Sequence, residues 1–112
     1  MTQPTVSQVH YEKLARYAKA LAHPTRLAIV HFLAEHEHCY FYDIHERLPV
    51  AKATVSQHLK ELREAGLIIG IEEPPKVKYC LNSDEWETMR SLFAEFFDMC
   101  GCRHSQCHCP HS

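Results

Sequence analysis

The end of this chain carries the side chains with the clearest chemical potential. Four of its six cysteines lie in the last thirteen residues, at Cys100, Cys102, Cys107 and Cys109, with imidazoles between them. Thiolates are soft donors, so this C-x-C-x4-C-x-C spacing favours zinc, cadmium, mercury, copper(I) or trivalent arsenic and antimony over magnesium or calcium. The spacing predicts soft-metal or thiol chemistry, and the simpler alternative is an accidentally cysteine-rich tail.

Two further cysteines lie outside the tail. Cys39 follows His36 and His38, and we regard it as a possible fifth metal ligand. The histidines alternate with acidic residues, which favours a solvated helix end over a second metal or haem site. Cys80 is expected to face outward from a strand as an inert thiol.

A second candidate site lies in the middle of the chain. From residue 53 to 62, helical spacing puts Val55, Leu59 and Leu62 on one face and leaves small, amide and cationic groups on the other. Such a helix suits reading of the DNA major groove, with hydroxyl and amide groups on base edges and cations on phosphates. The alternative is a solvated helix face without nucleic acid. The predicted DNA contacts are Lys52, Ala53, Thr54, Ser56, Gln57, His58 and Lys60, with Lys76 and Lys78 on the strand pair that follows.

The overall charge does not indicate a nucleic-acid-binding protein, because the formal net charge is -2 and the pI is near 6.5. The distribution is uneven, however. Between Arg47 and Arg63 there are four cations and one acid, whereas Asp84 to Asp98 holds five acids and one arginine. Phosphate affinity is therefore expected to come from local clustering in the middle of the chain.

The elements that must position these groups follow from periodicity and helix-breaking residues. We predict a first helix from about Ser7 to Ala22 and a second beginning at Pro24, with Leu27, Val30 and Ala34 on its inner stripe. A third helix from about Tyr40 to Leu48 and a fourth ending at Gly66 form a helix-turn-helix. The runs 67–72 and 76–81 then read as a two-stranded wing.

The last predicted helix begins at Ser83 as its cap, with Asp84 and Glu85 in its first turn. Apolar residues follow in a 3, 4, 3, 4 pattern that favours packing along a partner helix. We predict a mainly α fold with a small β-wing, a winged helix-turn-helix that dimerises through its first and last helices. Residues 1–99 form the DNA-binding and dimerisation domain and residues 100–112 the Cys/His-rich tail. The dimer stripe is Trp86, Met89, Phe93, Phe96 and Cys100.

Composition excludes several classes of protein. No apolar run reaches the length of about 20 residues that a membrane span needs, and the start of the chain lacks the features of a signal peptide. We therefore expect a cytoplasmic protein without a membrane partner, whose cysteines are metal-binding or redox-active thiols. No nucleophile with a base and no phosphate-cradling glycine loop is visible, so we expect neither an enzyme nor an organic cofactor.

Two ordered motifs give this sequence a family resemblance. Residues 20–27, ALAHPTRL, and residues 53–67, ATVSQHLKELREAGL, with a wing behind them, resemble the ArsR/SmtB family of metal-sensing bacterial repressors over roughly residues 10–97. The resemblance implies a homodimer that binds double-stranded palindromic operator DNA and leaves it when a metal ion binds.

The departures from the family pattern bear on the inducer. One site of that family uses Asp and His on the terminal helix, but residues 83–99 contain no histidine. Another begins the third helix with closely spaced cysteines, of which only Cys39 is present here. Cys39 alone cannot hold a metal, so its partners would come from elsewhere, for example across the dimer.

The favoured interpretation is a repressor released by a thiophilic metal or metalloid, with arsenite preferred to zinc or cadmium. Two alternatives stay open. The same fold could sense oxidants or persulfides through its thiols. A protein of another class could sequester or deliver soft metals through its tail. The inducer, the operator sequence and the part played by Cys39 stay open at this point.

Overall fold

A computed structural model describes residues 6–101, with side chains from residue 10 onward. Within that range the chain forms five helices and three strands. Their order is α1 (Val6–Leu21), α2 (Pro24–Glu35), β1 (Cys39–Tyr40), α3 (Phe41–Glu46), α4 (Lys52–Glu64), β2 (Ile68–Glu73), β3 (Lys76–Leu81) and α5 (Ser83–Cys100). The mainly α architecture with a small β-wing is confirmed.

Local sequence signals set most helix ends where they were predicted. Pro24 occupies the first turn of α2, and the His23 side chain caps that helix by accepting the Thr25 N–H at 3.0 Å. Helix α4 ends in a Schellman motif, in which the N–H groups of Gly66 and Leu67 return to the last turn of the helix. Gly66 has φ +84°, a conformation that strains any residue with a Cβ.

The start of α5 differs from the prediction by one residue. Asn82 is the N-cap and Ser83 is the first helical residue. The Asn82 amide instead donates to the Gly66 carbonyl at 3.0 Å, so it ties the end of α4 to the start of α5. Asp84 and Glu85 lie in the first turn as predicted, where the positive end of the helix dipole favours carboxylates.

The wing contains one strand more than predicted. Its order is β1-β3-β2, and both pairings are antiparallel. Cys39 and Tyr40, expected near the start of the third helix, instead pair with Tyr79 and Lys78 of β3. A strand of two residues is too short to show alternation in the sequence, so only its pairing with β3 reveals it.

The core lies between α1, α2, α4 and the inner face of the sheet. The predicted inner stripe of α2 is wrong at Leu27, which is 53% exposed, and at Ala34, which is also exposed, whereas Val30 packs against the core as predicted. The buried residues of α2 are Ile29 and Leu33. Helix α2 contacts α1, α4 and β3, so several of its sides are covered. The largest side chains with almost no exposure are Tyr17, Ile29, Ile44, Val55, Leu59, Leu62, Leu67 and Ile68.

The apolar stripe of α5 belongs in part to the protomer's own core. Met89 is only 5% exposed, and the Trp86 indole N–H donates to the Leu67 carbonyl at 2.9 Å. Phe97 and Met99, outside the predicted stripe, are 63% and 65% exposed. A partner for α5 would therefore meet its outer face near the C-terminal end. No helix in residues 6–101 combines the length and the apolar character that crossing a membrane requires.

Candidate nucleic-acid interface

Helix α4 separates a buried face from an exposed one as its sequence predicts. Val55, Leu59 and Leu62 are 0–1% exposed and fix the helix to the core. The opposite face carries side chains that can donate or accept hydrogen bonds and others that carry positive charge. Its exposed members are Lys52, Ala53, Thr54, Ser56, Gln57, Lys60, Arg63 and the acidic Glu64.

The helix before α4 anchors the turn between them. Ile44 of α3 is fully buried, and the Arg47 and Leu48 N–H groups close the C-terminal end of α3 with bonds of 3.1 Å. The chain then passes through residues 49 and 50 to Ala51, the N-cap of α4. Two helices joined by a tight turn, with the second exposed along one side, form the helix-turn-helix arrangement.

The exposed face of α4 is partly occupied by contacts within the helix. The Gln57 amide donates to Glu61 Oε2 at 2.9 Å, and Lys60 Nζ lies 4.0 Å from Glu64 Oε2. Exposed pairs at this spacing stabilise a helix by only about 0.3–0.5 kcal/mol. Base edges and phosphates can therefore compete for Gln57 and Lys60.

His58 does not belong to the exposed face. Its side chain is 6% exposed, and its Nδ1 accepts a hydrogen bond from Arg26 Nε at 3.0 Å. His58 follows Val55 by three residues and precedes Leu59 by one, so helical geometry turns it inward. The predicted DNA contact at His58 therefore has no support in the fold.

The two predicted wing lysines lie beside groups of the wing itself. Lys78 Nζ is 3.0 Å from Glu73 Oε2, and the Tyr40 hydroxyl donates to Glu73 Oε1 at 2.8 Å. The hydrogen bond from Lys78 lowers the pKa of Glu73, and Glu73 in turn raises the pKa of Lys78 and of the Tyr40 phenol. Lys76 lies 5.0 Å above the Tyr40 ring. The positive charge of Lys78 is thus held by Glu73 in the free protein.

Arg63 is a candidate contact that the sequence-based list omits. It is exposed at the C-terminal end of α4, and its guanidinium lies over β2 at Gly70, where a Cβ would come within 3.2 Å of Nη1. The sequence shows that Arg63 is one of the cations of the basic segment. Only the fold shows that its side chain lies between α4 and the wing. By contrast, Arg26 is structural, because it donates to the Lys19 and Ala20 carbonyls at 3.2 Å.

The predicted thiol ligands are only partly within the described residues. Cys100 is exposed at the end of α5, while Cys39 is 5% exposed and faces the core. Burial raises the pKa of the Cys39 thiol, which disfavours the thiolate that a metal requires. In residues 6–101, no three His, Cys, Asp or Glu side chains are grouped to hold a metal ion. Cys102, Cys107 and Cys109 lie outside the described residues.

Comparison with known proteins agrees with this geometry. The family model for bacterial regulatory proteins of the arsR family matches residues 23–69, which include α2, α3 and α4. The HTH-type transcriptional repressor SmtB of Mycobacterium tuberculosis is 41% identical over 63 residues, which are 56% of this chain and 46% of SmtB. The chain thus spans about half the length of that relative.

Solved structures extend the similarity beyond the helix-turn-helix. HlyU from Vibrio cholerae is 30% identical with a TM-score of 0.64, and the match covers 79% of this chain and 95% of HlyU. A structure described as a possible transcriptional regulator for arsenical resistance is 28% identical with a TM-score of 0.65, over 70% of this chain and 81% of that one. The relatives so described are transcriptional regulators and not enzymes, which agrees with the prediction from sequence. The chain belongs to the arsR family of bacterial regulatory proteins.

Proposed function

We propose that the protein is a homodimeric, DNA-binding transcriptional repressor that a thiophilic metal or metalloid releases from its operator. The observation that carries the proposal is α4, which exposes Ser56, Gln57 and Lys60 while its other face is locked into the core. The named function of SmtB, a transcriptional repressor, supports the same role here.

Sequence reading would depend on the first turns of α4. Ser56 and Gln57 present hydroxyl and amide groups for base edges, while Ala53 and Thr54 present methyl groups for thymine. Lys60 and Arg63 follow on the same side and suit phosphate contacts. In a dimer the two α4 helices would enter successive major grooves about 34 Å apart.

Dimerisation through α1 and α5 is supported by apolar groups that the protomer leaves exposed. Phe97 and Met99 of α5 and Tyr11 of α1 are 63%, 65% and 48% exposed. A second copy would cover these side chains. Phe97→Asp should give a monomer in analytical ultracentrifugation without loss of folding, because Phe97 is outside the core. A variant that stays dimeric would place the interface elsewhere.

The proposed inducer site begins at Cys100. This thiol is exposed at the end of α5, and the chain supplies Cys102, Cys107 and Cys109 within the next nine residues. Trivalent arsenic takes three thiolates, whereas zinc or cadmium takes four thiolates or a mixture with imidazole. We favour arsenite, and the similarity to the possible regulator for arsenical resistance supports that choice. Cys39 is left out because its thiol faces the core.

The DNA-binding part of the proposal is tested by operator titration at several salt concentrations. Gln57→Ala should reduce the preference for the operator over other sequences. Lys60→Ala should weaken binding to all sequences and flatten the logarithmic salt dependence by about 1.8, which is about 0.9 for each protomer of the dimer. Lys19→Ala, which removes an exposed charge from α1, is the matched control. Unchanged affinity and slope for both α4 variants would refute the assigned surface.

The inducer is tested under strict reduction. Arsenite should weaken operator binding about 100-fold, which corresponds to a coupling free energy of about 2.7 kcal/mol. Cys100→Ser with Cys102→Ser should abolish the response, whereas Cys80→Ser should preserve it. If the double variant responds as the parent does, the site lies elsewhere. If reduced protein ignores arsenite but responds to polysulfide or peroxide, the protein is a thiol redox sensor of the same fold.

A further inference from the structure

One partly buried polar contact joins α4 to α1 and α2. Arg26, in the first turn of α2, donates from Nε to His58 Nδ1 of α4 at 3.0 Å. Its Nη1 donates to the Lys19 and Ala20 carbonyls at the end of α1, each at 3.2 Å. A single guanidinium therefore connects α1, α2 and α4.

The contact requires a neutral imidazole. His58 Nδ1 accepts the bond from Arg26, so it carries no proton, and the neutral ring has its proton on Nε2. His58 is 6% exposed, and the ring of His23, the N-cap of α2, lies 4.4 Å away between centroids. The charged and titratable groups acting on His58 are Arg26 and His23 from α2 and Glu61 from α4, while α1 contributes backbone carbonyls through Arg26.

Protonation would place two donors and two positive charges against one another. A proton on His58 Nδ1 would face the Arg26 N–H across 3.0 Å, and no hydrogen bond forms between two donors. Burial, His23 and Arg26 all disfavour the imidazolium and lower the pKa of His58, although Glu61 acts in the opposite direction. The charged ring is accommodated only if it separates from Arg26.

We propose that Arg26 and His58 are positioning residues for α4, and that protonation of His58 loosens α4 from α1 and α2 and weakens DNA binding. The inference rests on the proposed function, because it assigns a regulation to the same DNA-binding helix. Gln57 and Lys60 flank His58 on α4, so displacement of the imidazole moves the groups that would meet the groove.

The direction of the pH effect distinguishes this contact from ordinary surface histidines. A histidine free of the contact has a pKa near 6.5, and the packed His58 has a lower one. The loosened state therefore takes up the proton more readily. The stabilisation by the contact is complete above about pH 6.5 and declines as the pH falls toward the lower pKa of the packed His58. A gain of positive charge elsewhere on the surface would act in the opposite direction, because it strengthens attraction to phosphates.

The first test uses the full-length protein without DNA. The His58 ring resonance, assigned through the backbone by NMR, is followed from about pH 8 to about pH 5.5 together with hydrogen exchange of the α4 amides. We expect a His58 midpoint below about 6.5. The protection factors of the α4 amides, which correct for the slower intrinsic exchange at lower pH, should fall as His58 titrates. An ordinary midpoint, or α4 protection factors that do not change with the His58 titration, would overturn the inference.

The second test measures operator affinity of the wild type and two variants. Wild-type affinity should fall about tenfold, or 1.4 kcal/mol, between about pH 8 and about pH 5.5. His58→Asn puts an amide oxygen in place of Nδ1 and should lose that pH dependence. His31→Asn, the exposed control, should keep it. Absence of specific binding at about pH 8 would refute the proposed function, whereas binding there that holds or strengthens in acid would refute only this inference.

Discussion

The hydroxyl of Tyr17 joins the middle of α1 to the first turn of α5. Tyr17 is 1% exposed, and its hydroxyl donates to the Glu85 carboxylate. Lys13 Nζ lies 3.8 Å from the same carboxylate, whose side chain is 26% exposed. Tyr17→Phe removes the hydroxyl and keeps the ring, so it isolates the energy of this hydrogen bond.

The expected loss of stability follows from these surroundings. A hydrogen bond to a charged group contributes about 1.5–3 kcal/mol, and an acceptor stranded without water or another partner gives the larger values. Glu85 keeps Lys13 and some solvent, so we expect a loss of about 1.5–2 kcal/mol. For a domain of this size that corresponds to a fall in Tm of roughly 10 °C.

The same hydrogen bond predicts a dependence on alkaline pH. Burial and the Glu85 carboxylate raise the pKa of the Tyr17 phenol above its ordinary value. In the unfolded chain this phenol ionises near pH 10, while in the folded protein it stays protonated. Its contribution to stability is therefore complete below about pH 10 and declines as the pH rises further. In Tyr17→Phe, stability should decline less steeply above about pH 10.

Urea unfolding at fixed protein concentration measures both effects, with fluorescence of the single tryptophan as the signal. Tyr42→Phe is the control, because Tyr42 lies on α3 and is 67% exposed. Combination of Tyr17→Phe with Glu85→Gln completes a double-mutant cycle. If Tyr17→Phe loses no more stability than Tyr42→Phe, or if its decline in stability above about pH 10 is unchanged, the hydrogen bond does not stabilise the fold as argued.

Two further substitutions test the end of α4 and the wing. Gly66→Ala should lower the free energy of unfolding by about 1–2 kcal/mol, since alanine is strained at φ +84°, and urea midpoints measure it. Gly101→Ala, at φ -76°, is the control, and equal losses in the two variants would contradict a conformational cause. Glu73→Gln should release one Lys78 in each protomer of the dimer and steepen the logarithmic salt dependence of DNA binding by about 1.8, whereas Glu72→Gln should not. An unchanged slope would show that Lys78 makes no phosphate contact even when released.

Much of the fold was predictable because neighbouring residues determine it. Val55, Leu59 and Leu62 specify the inner face of α4 by spacing alone, and Pro24 and Gly66 mark helix ends through their backbone constraints. These signals come from residues close together in the sequence, so they can be interpreted without knowledge of the tertiary structure.

The residues whose burial or role was predicted wrongly are those whose neighbours come from distant parts of the chain. Helix α2 is apolar on several sides, so periodicity could not show that Ile29 would be buried and Leu27 exposed. His58 had the spacing of a buried position, but its polar side chain suggested the groove; its partner Arg26 is 32 residues earlier. Lys78 meets Glu73 only because of the β2–β3 register.

The two side-chain pairs along α4 bear on how the protein would search a chromosome. Gln57 and Lys60 each carry a carboxylate one turn further on, in Glu61 and Glu64. On random DNA these carboxylates repel the phosphates that Lys60 attracts. The Gln57 amide would give up its hydrogen bond to Glu61 for one to DNA, with no net gain in free energy. Residence on unmatched sequence would therefore be brief, since non-specific affinity comes almost entirely from cations on phosphates. Only a site whose base edges take the place of Glu61 as the partner of Gln57 would retain the helix. The two pairs within α4 therefore lower the affinity for DNA and, in return, speed dissociation from unmatched sequence.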